Sequence, residues 1–392
     1  MKNFIITFIW FSLIVSNLSA QNTIDKILVE IEKNNTTLLS LRKNLDAKKT
    51  GYKTGIFLQN PEAEFNYLWG SPSGMGNRTD FSVIQSFDFP TAYRYKNQIS
   101  GLKTEQSEIL YQKQLKAIQT EARLICVDLV YYNALIAELS KRLEHAQSIA
   151  SSYKQKLDAG EANILEYNKA KLNLLTAQKK YESNEIERNA LMAQLTRLNG
   201  GIELDFSDKE YQALLIPDDF EQWYFEAEQN NPMLAWLKYE IEIGKKQIDL
   251  TKANSLPEFK AGYMSETVLN QQFKGISFGI NIPLWEDKNK VKYEKAKTEA
   301  LEHFSTDQKL QFYNQLKTLH NKVVEMQKSV SEYRTELSIL DNSDLLLKTL
   351  QSGEISLINY IFELSVYYEN VNQLLDYEKE LNRTFAELQQ FM

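Results

Sequence analysis

The sequence is poor in the residues that carry most chemistry. Its 392 residues hold one cysteine and three histidines. Cys126 has no partner for an internal disulfide, and its apolar helical surroundings mark it as a small core residue. His145, His303 and His320 lie far apart within helical patterns, so they read as surface or seam residues. The seven methionines are scattered and form no relay for a soft metal. Gly74-Met75-Gly76 leads into a strand pattern rather than a helix, so it reads as a hairpin loop and not a phosphate cradle. No catalytic, cofactor-binding or metal-binding residues are assigned. A basic excess is missing too: the net charge of −7 argues against a nucleic-acid partner. With only 14 Gly and 7 Pro, the chain is suited to long regular elements. Charged residues at 25% and apolar ones at 43% exclude a disordered chain.

What is present begins with a targeting signal. Lys2 precedes a nearly unbroken apolar run from Phe4 to Val15, and Leu18-Ser19-Ala20 precedes Gln21 like a cleavage site. Residues 1–20 are therefore expected to be a cleaved secretory signal peptide. No cysteine follows the site, so a lipid-modified N-terminus is not expected. Beyond it no run of about 18 apolar residues occurs, so no membrane helix is expected.

Two hairpins stand out. Ala63, Phe65, Tyr67 and Trp69 alternate with Glu62, Glu64 and Asn66. Phe81, Val83, Phe87 and Phe89 alternate with Asp80, Ser82, Ser86 and Asp88. The second hairpin alternates Phe259, Ala261 and Tyr263 against Glu258, Lys260 and Gly262, then Ile276, Phe278, Ile280, Ile282 and Leu284 against Gly275, Ser277, Gly279 and Asn281. Side chains in a strand point alternately to two faces, so each strand has one greasy and one wet face. Each is near the roughly 9–11 residues that a tilted strand needs to cross a bilayer.

The remainder reads as helix. Residues 23–58 form a helical pattern broken near Asn34-Asn35. Leu115, Ile118, Ala122, Ile125, Leu129 and Tyr132 start a 3–4 seam that continues to Leu157. A single helix over 96–157 would be roughly 90 Å long. Gly160 breaks it, and a returning helix spans 162–198. The plan then repeats. Asn35 and Asn231 lie 196 residues apart, as do Pro61 and Pro257, and Gly160 and Gly353 lie 193 apart. A whole half has been duplicated. The first repeat is 21–200, with its hairpin at 62–89. An irregular equatorial linker covers 201–219. The second repeat is 220–392, with a hairpin at 258–284, a long helix at 289–351 and a returning helix at 355–390.

Four strands cannot close a barrel, and open sheet edges are not tolerated in lipid. Cyclic self-association can close them: two copies give eight strands and three give twelve. The polar face, with Glu62, Glu64, Asn66, Asp80, Ser82, Ser86, Asp88, Ser277 and Asn281, needs water, which favours twelve strands around a wet lumen. Tyr67, Trp69, Tyr93, Tyr95 and Trp285 sit at strand ends, where aromatic girdles belong.

These features together resemble the TolC family of outer-membrane efflux proteins over the whole mature length. The resemblance rests on the duplicated plan, Asn231-Pro232-Met233-Leu234, Ile282-Pro283-Leu284, and the Gly-Glu turns followed by apolar residues at Gly160–Leu165 and Gly353–Ile358. The wording around Ser86–Tyr93 is most similar to members that accompany heavy-metal or multidrug pumps in Bacteroidetes-type bacteria. The resemblance implies a mainly helical fold with membrane β-strands: a homotrimer whose twelve-stranded barrel in outer-membrane lipid continues into a periplasmic α-helical barrel. It implies a passive, non-enzymatic exit duct fed by an inner-membrane pump, RND-type by preference, through a periplasmic adaptor. Lys156, Gly160, Glu161 and Leu165 match the family's adaptor-contact turn; Gly353, Glu354 and Leu357 match in the second repeat, where Thr349 replaces the basic residue. The family's constriction often carries Asp six residues beyond the second glycine. Here Asn359 holds that position and Glu363 follows four later, which leaves the charge of the gate open. Heavy-metal cation efflux and type I secretion remain alternative duties. A periplasmic coiled-coil scaffold without a pore, and an exported enzyme, are rivals from other classes; the enzyme would need a polar cluster that the sequence does not display.

Overall fold

The structure is a computed structural model that describes residues 23–217, 219–285 and 287–391. The expected signal peptide lies outside the described residues. Two short helices open the chain, α1 (Thr23–Asn34) and α2 (Thr36–Gly51). The break between them is chemical: Asn35 caps α2 by accepting from the Leu38 amide (2.9 Å), and its Nδ2 donates to the Leu198 carbonyl (2.8 Å). The helical pattern expected to run to residue 58 stops at Gly51, where Lys48, Lys49 and Thr50 offer no apolar face to bury.

Strands β1 (Glu62–Leu68) and β2 (Arg78–Phe87) form the first hairpin; β3 (Glu258–Val268) and β4 (Gln271–Asn281) form the second. They make one antiparallel sheet in the order β1-β2-β3-β4. The central pairing joins strands from the two halves of the chain, with Phe81 opposite Ser265 and Val83 opposite Tyr263. Both outer strands are unpaired along their far edges.

Helix α3 (Pro90–Asp158) has 69 residues, which at 1.5 Å per residue is about 104 Å. It begins six residues earlier than expected, with Pro90 in the first turn, where a missing N–H costs nothing. Helix α4 (Ile164–Leu198) returns along it. In the second half, α5 (Phe220–Asn230) and α6 (Pro232–Asn254) precede the hairpin, and α7 (Lys290–Ile339), α8 (Ser343–Gln351) and α9 (Leu357–Gln389) follow it. The single long helix expected over 289–351 is thus two helices. The break has a local cause: Asp341 accepts from both the amide (3.1 Å) and the hydroxyl (2.6 Å) of Ser343, a turn that competes with the helical ladder. Leu340, three residues after the buried Leu337, is exposed there.

The described residues share no single core. Apolar clusters are strung along the length: α3 with α6 next to the sheet (Ala92, Ile99, Ile243, Ala253), the α1–α4 assembly around Leu129, the α5–α7–α9 assembly around Leu316, and α3, α4, α8 and α9 around Tyr360 near the turns. Cys126 is fully buried in the second of these, and burial pushes its thiol up to about 12. The linker after α4 is strapped down: Phe206 is buried, Asn133 Nδ2 donates to the Asp208 carbonyl (3.0 Å), and the Tyr211 hydroxyl donates to the Val127 carbonyl (3.0 Å). Among the described residues, no helix is long and apolar enough to cross a membrane.

Candidate functional site: a two-faced sheet and a pair of glycine turns

Residues paired across strands share a face, so the register fixes both surfaces of the sheet. One face carries Ala63, Phe65, Phe81, Val83, Phe87, Phe259, Ala261, Tyr263, Ile276, Phe278 and Ile280. Most of its larger members are exposed in the protomer, Phe87 being half-buried; Phe278 keeps 79% of its surface. Ten residues at about 3.3 Å each, tilted by about 40°, span roughly 25 Å, the height of an outer-membrane apolar band. Trp69 and Trp285, 80% and 81% exposed, stand at opposite ends of the sheet, and Tyr67 packs edge-on against Trp69 (5.5 Å). This face is predominantly apolar and uncovered in the protomer, interrupted by Gln85, Ser265 and Lys274, with aromatic residues at its ends.

The register puts Glu62, Glu64, Asn66, Asp80, Ser82, Ser86, Ser277 and Asn281 together on the opposite face. Asp88 lies one residue beyond β2 and is held by Lys96 (2.6 Å). The same face gathers Glu258 and Lys260, which the alternation had already set on the polar side, and Glu266 and Arg78, which extending the alternation of β3 and β2 by two residues each would have found. Arg78 bridges Asp80 (2.8 Å) and Glu266 (3.3 Å) at the loop end. Asn281 donates to Glu258 (3.2 Å) near the helical end. The charged groups of this face are predominantly carboxylates, and Ile84, Met264 and Phe273 interrupt them.

At the far end of the helices lie two matching turns. Gly160 has φ +76° and Gly353 φ +78°, and a Cβ at either would meet open space, so backbone conformation alone demands glycine. The Glu161 amide donates to the Lys156 carbonyl (2.8 Å), and the Glu354 amide donates to the Thr349 carbonyl (3.0 Å). The Ala162 amide also donates to the Lys156 carbonyl (3.2 Å) and the Ile355 amide to the Thr349 carbonyl (3.4 Å), so each turn pairs a helix-end carbonyl twice. Asn163 and Glu166 form a reciprocal capping box on α4; the Ser356 hydroxyl accepts from the Asn359 amide (3.2 Å) on α9. Around the first turn, Lys156 lies 5.3 Å from the centre of the Tyr153 ring, Glu161 is exposed, and Leu165 keeps 75% of its surface.

The second turn departs from the sequence reading at one residue. Gly353 and Glu354 are exposed, but Leu357 is only 3% exposed and packs with Tyr360 and Leu350. Counted from each glycine, Leu357 stands where Ile164 stands in the first repeat, and Ile358 stands where Leu165 does; Ile358 is exposed. The resemblance put the right kind of residue one position too early. Asn359 and Glu363 are both exposed, one helical turn apart on α9, with exposed Ile358, Phe362 and Val366 beside them. Leu165, Leu172, Leu175 and Ile186 make a similar unpartnered stripe on α4.

His145 and His320 are packing residues with partners. The Tyr360 hydroxyl lies 2.8 Å from His145 Nε2, and His320 Nε2 lies 2.8 Å from the Pro217 carbonyl. Burial lowers the proton affinity of His145 below the ordinary histidine range. His303 is exposed. Among the described residues, no group of three or more His, Cys, Asp or Glu side chains could hold a metal ion.

Long helices paired within each half, two hairpins fused into one sheet, and an uncovered apolar face make up a TolC-like architecture. The solved structures agree. The chain superposes on a structure of CusC, described for its transmembrane channel formation, with a TM-score of 0.78 at 13% identity, covering 95% of this chain and 92% of that one. It superposes on the CmeC outer membrane channel of Campylobacter jejuni with a TM-score of 0.70 at 13% identity, over 94% of this chain and 85% of that one. Among curated proteins it is 22% identical over 291 residues to the alkaline protease secretion protein AprF of Pseudomonas aeruginosa. That match covers 68% of this chain and 58% of AprF, so it spans less than two thirds of its relative. No protein-family model matches the sequence. The chain has the fold of the TolC-family outer-membrane channels, as the resemblance implied.

Proposed function

We propose that this chain is one third of an outer-membrane exit duct. The observation that carries this is the sheet: four strands with two open edges and an exposed apolar face, at one end of a helical bundle about 100 Å long. Backbone groups at those edges need partners in lipid, and copies of the same chain supply them when β4 of one subunit pairs with β1 of the next. Three copies give twelve strands. The acidic face then lines the lumen, where its carboxylates stay hydrated and enrich cations. The exposed stripes on α4 and α9 become subunit contacts of a periplasmic α-barrel.

In this reading the duct hydrolyses nothing. Lys156, Gly160, Glu161 and Leu165, with Gly353, Glu354 and Ile358, present two similar turns to a periplasmic adaptor, and an inner-membrane pump supplies the energy. Asn359 and Glu363 face the constriction. A channel that spans the outer membrane is supported by the likeness in fold to the CusC and CmeC channels. Polypeptide secretion is the second reading, supported by the sequence match to a protease secretion protein. The experiment is single-channel recording of the detergent-purified protein in planar lipid. Ion-conducting steps that grow when Asn359 and Glu363 are changed to Ala support the duct. A protein that is monomeric in detergent and conducts in neither form overturns it.

A further inference from the structure

The two halves of the chain repeat a contact as well as a shape. Lys49 of α2 meets Glu108 of α3 (2.6 Å), and Lys245 of α6 meets Glu302 of α7 (3.5 Å). The two lysines lie 196 residues apart and the two glutamates 194 apart. One ion pair, present twice, thus fixes how α2 corresponds to α6 and α3 to α7. The turn glycines relate α4 to α9 by 193 residues.

The halves also meet each other, at two junctions. Near the sheet α3 packs on α6: Ile99, Ile243 and Ala253 are buried there, Gln106 Nε2 donates to Glu240 (2.6 Å), and Tyr239 hydrogen-bonds Glu105. Further down α3 packs on α9, and Arg142 Nη1 donates to Asn372 Oδ1 (2.9 Å). The corresponding helices lack such neighbours. Among the described residues α7 packs extensively only on α5, α6 and α9 of its own half, while α2 and α4 pack chiefly on α3. One side of α7, and one side each of α2 and α4, is therefore unclaimed.

Carrying the two junctions across by the same offsets shows what those sides could meet. Glu105 and Tyr239 become Glu299 and Lys43; Arg142 and Asn372 become Glu336 and Lys179. Each transfer brings opposite charges together, and all four residues are exposed in the protomer. Lys179 meets only Glu182 of its own helix (2.7 Å). Leu102 and Ile243 become Ala296 and Ala47, both exposed, and such small side chains let two helices approach closely.

We propose that a second copy of this chain covers the unclaimed side of α7, in the register that α3 holds within the chain. Helix α7 of one copy lies against α2 and α4 of the next, with Glu299 facing its neighbour's Lys43 and Glu336 facing its neighbour's Lys179. This rests on the duct reading above and adds to it the order of the helices around the cylinder and the residues that meet. The contact is head-to-tail, so it closes as a ring. Exposed ion pairs add little strength; what they set is partner and register.

The test uses the full protein in detergent. Lys43→Cys and Glu299→Cys are combined in one chain, and Lys179→Cys and Glu336→Cys in another; the native Cys126 is buried. A short bis-maleimide should turn each double variant into covalent dimers and trimers on denaturing gels, while every single variant runs as a monomer. Charge reversal is the second readout. Lys43→Glu or Glu299→Lys alone should lower the temperature at which the native assembly dissociates, and the two together should recover most of the loss. An intact trimer in which either cysteine pair fails to link chains overturns the inference and leaves the duct standing; that is the result expected if lipid or an adaptor covers α7 instead. Losses that the double reversal does not recover overturn it as well. A protein that is monomeric in detergent overturns both readings.

Discussion

Placing a lysine at Phe278 and, separately, at Ser277 tests the face assignment at one point of one strand. The two residues are neighbours on β4, and their side chains point to opposite sides of the sheet. Phe278 lies between Ile280 and Ile276 on the apolar face and is 79% exposed in the protomer. In water its replacement would therefore cost little, since no packing is lost. In a lipid-embedded barrel the same lysine sits near the bilayer midplane, where a cation costs about 2–4 kcal/mol. Three copies raise this to about 6–12 kcal/mol per barrel. Lysine at Ser277, on the carboxylate-rich face, should change stability by no more than about 0.5 kcal/mol, as at an ordinary hydrated surface. The measurement is denaturant unfolding of protein reconstituted in lipid vesicles, with oligomer bands on mild-detergent gels as a second readout. Equal losses for the two variants, or the greater loss at Ser277, would refute the face assignment and with it the wet lumen.

Other perturbations probe separate parts of the molecule. Gly160→Ala and Gly353→Ala should each cost about 1–2 kcal/mol from the left-handed backbone alone, and Gly160→Asn less, read as melting temperatures. Leu316→Ala, at a fully buried position, should cost about 2–5 kcal/mol in denaturant titration. Asn163→Ala removes the α4 capping box and should cost about 1 kcal/mol, seen as faster amide exchange in the first turn of α4. His145 has a folded proton affinity lowered by burial, so the folded state favours the neutral ring. Its contribution is full above the ordinary histidine pKa and is lost as pH falls through that range. Amide protection factors around Tyr360, corrected for the intrinsic rate at each pH, should therefore fall on acidification, and His145→Gln should flatten the response.

Alternation made the sheet readable, because a period of two survives whatever the strand is packed against. The turns were readable because a left-handed residue followed by a capping residue leaves a local chemical mark, as at Gly160 and Asn163. Spacing between repeats gave the duplication. What spacing could not give was phase across a turn. Leu357 and Ile358 are both apolar, and only the rotation at which α9 leaves Gly353 decides that Leu357 goes inward. The start of α3 was missed because Tyr93, Arg94, Tyr95 and Lys96 carry no clean seam. The division of α7 from α8 was missed because Leu337 and Leu340 keep a plausible spacing while Asp341 turns the backbone.

The uncovered sheet has a consequence for the route the chain takes after synthesis. In the assembly proposed above, a subunit awaiting its neighbours would carry two unzipped borders and a band of bare phenylalanine and isoleucine through water, a surface on which stray chains can stack. Delivery to the membrane would then have to keep pace with export. A cell that makes this protein faster than its escorts can clear it should accumulate insoluble subunits while its helices remain well formed.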